Sequence, residues 1–95
     1  MIITAEGKID GQTLQGKLVA GIAGLGKRYH KPVVALCGTL AVTADDLQHL
    51  GVGAAFSIVN RPMSLEEAMR EGQMLLTEAA YHAGRLLLIS VGARR

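Results

Sequence analysis

Short apolar runs alternate with longer stretches of helical periodicity along this chain. The runs at 1–4, 33–37 and 54–59 are mostly apolar and lack polar alternation, as expected of strands covered on both faces. Between and after these runs, at 14–29, 44–51 and 64–87, apolar residues recur every three or four positions. This spacing is typical of helices with one buried face. The pattern therefore predicts the order β-α-β-α-β-α.

Residues of capping type stand where each predicted helix begins. Thr13 and Thr43 are suitable N-caps for the first two helices, because a threonine oxygen accepts hydrogen bonds from the first helical turn. Ser64 is followed three positions later by Glu67, the pattern of a capping box. We expect one long helix from this point.

Proline and glycine mark the predicted ends. Pro32 stops the first helix, Gly38 ends the second strand, and Gly51 occupies a C′ position after the second helix. The last helix is expected to bury a stripe of apolar and small residues: Leu65, Ala68, Met69, Gly72, Leu76, Ala79, Ala83 and Leu87.

Alternating strands and helices indicate a parallel sheet with right-handed crossovers. We predict an α/β fold, specifically a three-layer, Rossmann-like partial domain with a parallel sheet. A chain of 95 residues holds at most one small domain, and three parallel strands are fewer than such sheets usually have. An exposed sheet edge or apolar face then favours a homo-oligomer.

Composition excludes several classes of function. The net charge is only +2 and aromatic residues are 3% of the chain, so nucleic-acid binding is not expected. Glu6, Lys8 and Asp10 interrupt any signal peptide, and no apolar run approaches the roughly 18 residues of a membrane span. A single cysteine fits a reducing compartment. We expect a soluble, cytoplasmic protein with no membrane partner.

Open α/β sheets bind ligands where the strands end, which selects the loops 5–13, 38–43 and 60–64. The first loop is the richest, since it contains Glu6, Lys8 and Asp10 and leads to Gly16 and Lys17 at a helix N-terminus. Free N–H groups and the helix dipole attract phosphate there. The alternative is that these residues only cap the helix or form a solvated surface.

The stretch "GQTLQGKL" at 11–18 resembles the phosphate loop G-x-x-x-x-G-K-[ST]. Leu18 occupies the position of the hydroxyl that ligates Mg²⁺, and about six residues separate the predicted strand from Gly11, whereas a phosphate loop follows its strand directly. We interpret the match as coincidental.

The remaining candidates for chemistry are weak. His30, His49 and His82 have no partners at metal-ligand spacing. Cys37 ends an apolar strand, where a buried and inert thiol is expected. Ser57 lacks the G-x-S-x-G turn of a hydrolase nucleophile.

The first loop is also part of a longer resemblance. The segment "ITAEGKIDGQTLQGK" at 3–17 resembles the motif T-G-E-G-R-x-D-x-Q-T-x-x-G-K of type I glycerate kinases, and the likeness continues at 26–40, 51–59 and 62–69. The resemblance implies an enzyme that transfers the γ-phosphoryl group of ATP, with Mg²⁺, to a hydroxyl of D-glycerate, usually giving 2-phosphoglycerate. It also implies that residues 1–95 are a C-terminal segment of a Rossmann-like domain, with a second domain absent.

The resemblance places family motif residues at seven positions of this chain: Glu6, Gly7, Asp10, Gln12, Thr13, Gly16 and Lys17. From their chemistry we assign Asp10 as catalytic base or Mg²⁺ ligand and Glu6 as metal ligand or orienting group. Lys17 would bind phosphate or the glycerate carboxylate, and the remaining positions, together with Lys8, would line the substrate and phosphate site.

Three positions depart from the family motif. Ala5 replaces a glycine, Gly11 stands where serine is common, and Lys8 replaces an arginine, keeping the charge but losing the planar fork. Because most of such an enzyme is missing, we expect little or no kinase activity from this chain alone. The alternatives are a stand-alone anion- or nucleotide-binding module and an oligomeric structural remnant without catalysis.

Overall fold

The computed structural model of the chain describes residues 1–11 and 17–93. Its elements in chain order are β1 (Ile2–Ile9), α1 (Lys17–Arg28), β2 (Val33–Leu40), α2 (Ala44–Leu50), β3 (Ala54–Ser57), α3 (Leu65–Arg70) and α4 (Gly72–Ala93). They divide into two compact units, Met1–Ser57 and Ile58–Arg95. The sheet and the first two helices form the first unit, and α3 and α4 form the second.

The three strands form one parallel sheet in the order β1-β2-β3. Both crossovers step in the same direction, so right-handed connections carry α1 and α2 over the same face. The core of the first unit lies there: Ile9, Val33, Ala35 and Cys37 of the strands pack with Leu47 of α2 and Val52, and Ile22 of α1 is partly buried against them. The α/β class and the parallel sheet are confirmed, consistent with part of a Rossmann-like domain.

The first two strands are longer than predicted. β1 continues through Glu6 and Gly7 to Ile9, and β2 passes Gly38 and ends at Leu40. Residues 5–9 are therefore strand rather than loop, because they find partners in β2, among them Glu6 with Cys37 and Lys8 with Thr39. β3 is shorter than predicted, ending at Ser57 rather than at residue 59.

Gly38 allows close contact between strands instead of ending one. A Cβ atom at Gly38 would lie 2.8 Å from the carbonyl oxygen of Gly7, closer than real Cβ contacts come. The missing side chain lets β1 and β2 stay paired past this point.

The predicted limits of α2 are confirmed. The Thr43 hydroxyl accepts a hydrogen bond from the Asp46 amide at 3.2 Å, and the Asp46 carboxylate accepts one from the Thr43 amide at 3.1 Å, which completes a capping box. After the helix, Gly51 adopts a left-handed φ of 94°, which a glycine accommodates without strain. The Thr13 cap predicted for the first helix lies outside the described residues.

The helix predicted after Ser64 is interrupted. Ser64 caps α3 as predicted, by accepting a hydrogen bond from the Glu67 amide at 3.1 Å. The reciprocal bond of a capping box is not formed, because the Glu67 carboxylate accepts from the Ser64 hydroxyl at 3.4 Å rather than from the Ser64 amide. The two helices are separated at Glu71, which has non-helical dihedrals at the end of α3.

The predicted stripe of this last segment is only partly right. Leu65 and Met69 are 73% and 75% exposed, and Leu76 and Leu87 are also exposed. Leu75, outside the predicted stripe, is 1% exposed, and Ala83 is 9% exposed. Because the helix is interrupted at Glu71, one periodicity does not run through both segments.

Candidate functional site

The carboxyl end of β1 positions Lys8 and Asp10 on either side of a buried anchor. Ile9 is fully buried in the core, and its carbonyl accepts a hydrogen bond of 2.7 Å from the Ala41 amide. Successive side chains of an extended chain point to opposite sides, so the neighbours of Ile9 both turn away from the core. Lys8 Nζ and Asp10 Oδ2 lie 3.4 Å apart.

This ion pair contributes little to stability. The Lys8 side chain is 64% exposed and that of Asp10 is 24% exposed, and such surface pairs are worth about 0–1 kcal/mol. Its chemical consequence is larger, since an ammonium group and a carboxylate are held together where the strand ends. A phosphate-bearing substrate would meet both a positive charge and a base or metal ligand at this edge.

Glu6 lies further back along the same strand. It is half-buried and pairs in register with Cys37 of β2. Four residues of extended chain separate it from Asp10, which is about 13 Å between Cα atoms at the usual rise per residue. The structure thus brings Lys8 and Asp10 together and places Glu6 apart from them.

Among the remaining positions of the predicted site, the structure describes Gly7 and the backbone of Lys17. Gly7 is exposed in β1, and a Cβ atom there would meet nothing within 4 Å. Gln12, Thr13 and Gly16 lie outside the described residues. Lys17 is the first residue of α1, and the structure describes only its backbone.

Two hydroxyl groups near this edge were not predicted as site residues. Thr39 is the register partner of Lys8, and Ser57, the last residue of β3, has its hydroxyl 3.4 Å from the Gly38 carbonyl, to which it donates. The signal that finds them is strand register, and it requires correct strand limits. Thr39 lies in the stretch 38–43 that the sequence selects as a ligand loop, but only the register of the longer β2 places it opposite Lys8.

The loop after β3 belongs to the second unit and has its own polar contacts. Arg61 donates to the Glu71 carboxylate at 2.8 Å and lies 3.4 Å from the Asn60 side-chain oxygen. These contacts tie the loop before α3 to the residue between α3 and α4.

Cys37 is buried as predicted. Its thiol donates to the Phe56 carbonyl at 3.5 Å, and burial raises the pKa of Cys37 above its ordinary value of 9.0. Since the thiolate is the reactive form, this environment suppresses nucleophilic chemistry.

Neither a metal cluster nor a membrane span is found in the described part of the chain. No group of three or more histidine, cysteine or acidic side chains is arranged to hold a metal ion among residues 1–11 and 17–93. Over the same residues, every helix is too short or too polar to cross a bilayer.

Residues 1–88 match a family model described as "Glycerate kinase family". The chain belongs to the glycerate kinase family. Curated relatives agree. A "Glycerate kinase" of Halalkalibacterium halodurans is 47% identical over 79 residues, covering 83% of this chain. A "Glycerate 2-kinase" of Escherichia coli is 33% identical over 91 residues, covering 96% of this chain.

This glycerate kinase family chain is much shorter than those relatives. It spans 21% of the length of the Halalkalibacterium halodurans protein and 24% of the Escherichia coli protein. The family assignment therefore covers nearly all of the chain, and the chain corresponds to less than a quarter of either relative.

Proposed function

We propose that this chain forms the C-terminal portion of an ATP-dependent kinase that phosphorylates D-glycerate, giving 2-phosphoglycerate, in the cytoplasm. The observation that carries the proposal is the Lys8–Asp10 pair at the carboxyl end of β1, within a segment that matches the family over residues 1–88. Parallel α/β sheets bind their ligands at this end.

The residues of this edge suit phosphoryl transfer. Asp10 would accept the proton of the attacking hydroxyl or ligate Mg²⁺, and Lys8 and Lys17 would neutralise phosphate or carboxylate charge. Glu6, set back along β1 by about 13 Å, would orient a ligand rather than share a metal ion with Asp10. When bound, ATP supplies the phosphoryl group and Mg²⁺ offsets the charge that develops on it.

The donor set fits Mg²⁺. This ion prefers oxygen ligands and commonly takes only one or two protein carboxylates, with phosphate oxygens and water completing its shell. Asp10 supplies a carboxylate of that kind at the strand end, and no nitrogen or sulfur cluster of the described residues competes with it.

Activity is expected to need more than this chain. Phosphoryl transfer depends on positioning both substrates and excluding water, and the chain spans only 21–24% of the relatives named above. We expect no turnover from the folded chain by itself.

The test has two arms, both measuring ATP-dependent phosphorylation of D-glycerate with Mg²⁺. The first uses this chain alone, with Asp10→Asn and the matched control Asp45→Asn, an exposed residue of α2. The second adds each form to the Escherichia coli relative truncated by its matching segment. Restored turnover that Asp10→Asn abolishes and Asp45→Asn retains would support the proposal.

Other outcomes contradict parts of the proposal. Turnover by the chain alone would refute the expected inactivity, and complementation by Asp10→Asn as strong as by the unmodified chain would refute the role of Asp10. Saturable ATP binding that Lys17→Ala removes, with no turnover in either arm, would favour a binding module. A folded chain without any ligand response would favour a structural remnant.

We also propose that the chain forms a homo-oligomer, in which exposed apolar surface of one copy is covered by a second copy. Ile3 of β1 and Phe56 of β3 are 44% and 45% exposed on the sheet, and β1 and β3 are its edge strands within the described residues. On α4, Leu86 to Ile89 and Val91 are exposed, although helices apolar on all sides are normally buried. Light scattering after size exclusion should show a dimer or larger species, and a monomer at high concentration would refute this.

A further inference from the structure

A concave surface lies at the opposite end of the sheet from Lys8 and Asp10. This cleft of about 600 Å³ is lined at the start of β2 by Pro32 and Val33, and by the last turns of α1 and α2. β2 has 8 residues, so about 23 Å of strand separates its start from the carboxyl edge. We call this surface the amino-end cleft.

Two helix C-termini of the same kind form its walls. After α1, the Lys31 amide donates to the Gly26 carbonyl at 2.8 Å and His30 has a φ of 54°. After α2, the Val52 amide donates to the Leu47 carbonyl at 2.9 Å and Gly51 has a φ of 94°. Both are Schellman turns, with a left-handed residue closing the helix. Their hydrogen bonds make the cleft preformed.

The side chains lining this cleft are basic or uncharged. Lys27, His30, Lys31 and His49 line it, and among the described residues no aspartate or glutamate does. Neither lysine forms an ion pair with another of the described residues. The His49 Nδ1 lies 2.8 Å from the backbone carbonyl oxygen of Asp45 and donates to it.

The helix dipoles reduce this positive charge without cancelling it. Each helix C-terminus is equivalent to about −0.5 of an elementary charge, or about −1 for the two. The two lysines contribute two positive charges, so the cleft keeps a positive balance. The helix dipoles therefore offset part of the lysine charge, and the rest of that positive charge is available to a ligand.

We propose that the amino-end cleft binds a small organic anion whose phosphate or carboxylate head contacts Lys27 and Lys31. Its apolar body would lie on Ala20, Ala23 and Leu50, which also line the cleft. The volume is that of an ordinary small-molecule site, about 300–1,000 Å³. This site is separate from the kinase site, since it is built from the opposite ends of the strands.

The test is an NMR titration of the whole chain with phenyl phosphate as the probe. The amide signals of Gly24, Gly51 and Gly53, all in the lining, should shift with one saturation curve. Lys27→Gln/Lys31→Gln should weaken binding about tenfold or more, because two charge-assisted contacts are lost. The control Arg70→Gln/Arg85→Gln makes the same change in net charge outside the cleft and should leave the affinity unchanged.

A second variant tests the position of the ligand with both lysines intact. A Cβ atom at Gly24 would meet nothing within 4 Å, so a side chain can leave the backbone there, and Gly24→Glu adds a carboxylate beside the cleft. It should abolish binding while circular dichroism remains that of the folded chain. Benzoate in place of phenyl phosphate distinguishes a carboxylate from a phosphate preference, and phenol should not bind.

Three results would overturn the proposal. They are an absence of saturable shifts at the lining glycines, equal weakening by the control pair of arginine substitutions, or unchanged binding in Gly24→Glu. None of them bears on phosphorylation of glycerate, which is measured separately.

Discussion

Two glycines of α1 are expected to respond in opposite ways to the same substitution. A Cβ atom at Gly24 would meet nothing within 4 Å, whereas at Gly26 it would lie 2.8 Å from the Lys31 carbonyl oxygen and collide with a methyl group of Val33. Val33 is a core residue, 2% exposed, so it has little room to move. Gly24→Ala should therefore stabilise the chain and Gly26→Ala should destabilise it.

The magnitudes follow from helix propensity and packing. Alanine is favoured over glycine in a helix interior by about 1 kcal/mol, and Gly24→Ala should gain close to that. Gly26→Ala would gain no more than the same amount but would meet overpacking that costs about 1–3 kcal/mol. Comparing the two variants removes the shared propensity gain, so the difference in unfolding free energy should be about 1–3 kcal/mol.

The assay is urea denaturation followed by circular dichroism, with Gly21→Ala as a further control because a Cβ atom at Gly21 also meets nothing within 4 Å. A difference of 1 kcal/mol corresponds to a shift in melting temperature of about 4–8 °C in a domain of this size. Equal stability of Gly24→Ala and Gly26→Ala would refute the packing of α1 against the start of β2.

Substitutions at three other positions test local features of the first unit. His30→Gly should raise the unfolding free energy by about 1 kcal/mol in urea denaturation, because glycine adopts the left-handed conformation without strain; no change would contradict that conformation. Thr43→Ala should lower it by about 1 kcal/mol in the same assay through loss of the α2 N-cap, and Thr43→Ser should recover most of the loss. Cys37 should resist a thiol reagent in the folded chain and react rapidly once unfolded. Because the pKa of Cys37 is raised on folding, the contribution of the thiol to stability is complete below pH 9.0 and falls as the pH rises above that value. Cys37→Ala should remove this pH dependence, which is measured by comparing urea midpoints on either side of pH 9.0.

Local chemistry was sufficient to predict several features from the sequence. The limits of α2 follow from Thr43 and Gly51, whose roles depend on the hydrogen bonds and dihedrals of their own turns. Pro32 correctly separates α1 from β2, because proline cannot continue a helix. The parallel sheet follows from the alternation of elements, since consecutive parallel strands require a crossover.

Strand length was decided by tertiary pairing. The sequence predicts that the first strand stops before Gly7 and that Gly38 ends the second. Each glycine nevertheless lies inside a strand, because the two face each other across the β1–β2 pair and permit its close approach. No single segment contains this information, because a Cβ atom at Gly38 is excluded only by the carbonyl of Gly7.

In the candidate site too, some features follow from the sequence alone and others only from the tertiary structure. The sequence by itself determined the family motif and the order of its charged residues, and family membership follows from that motif. Only the tertiary structure decided that Lys8 and Asp10 meet beside a buried Ile9 while Glu6 stays apart in the ladder. The physical reason is that side-chain direction along a strand depends on which residues the core buries, and the core is built from segments distant in the sequence.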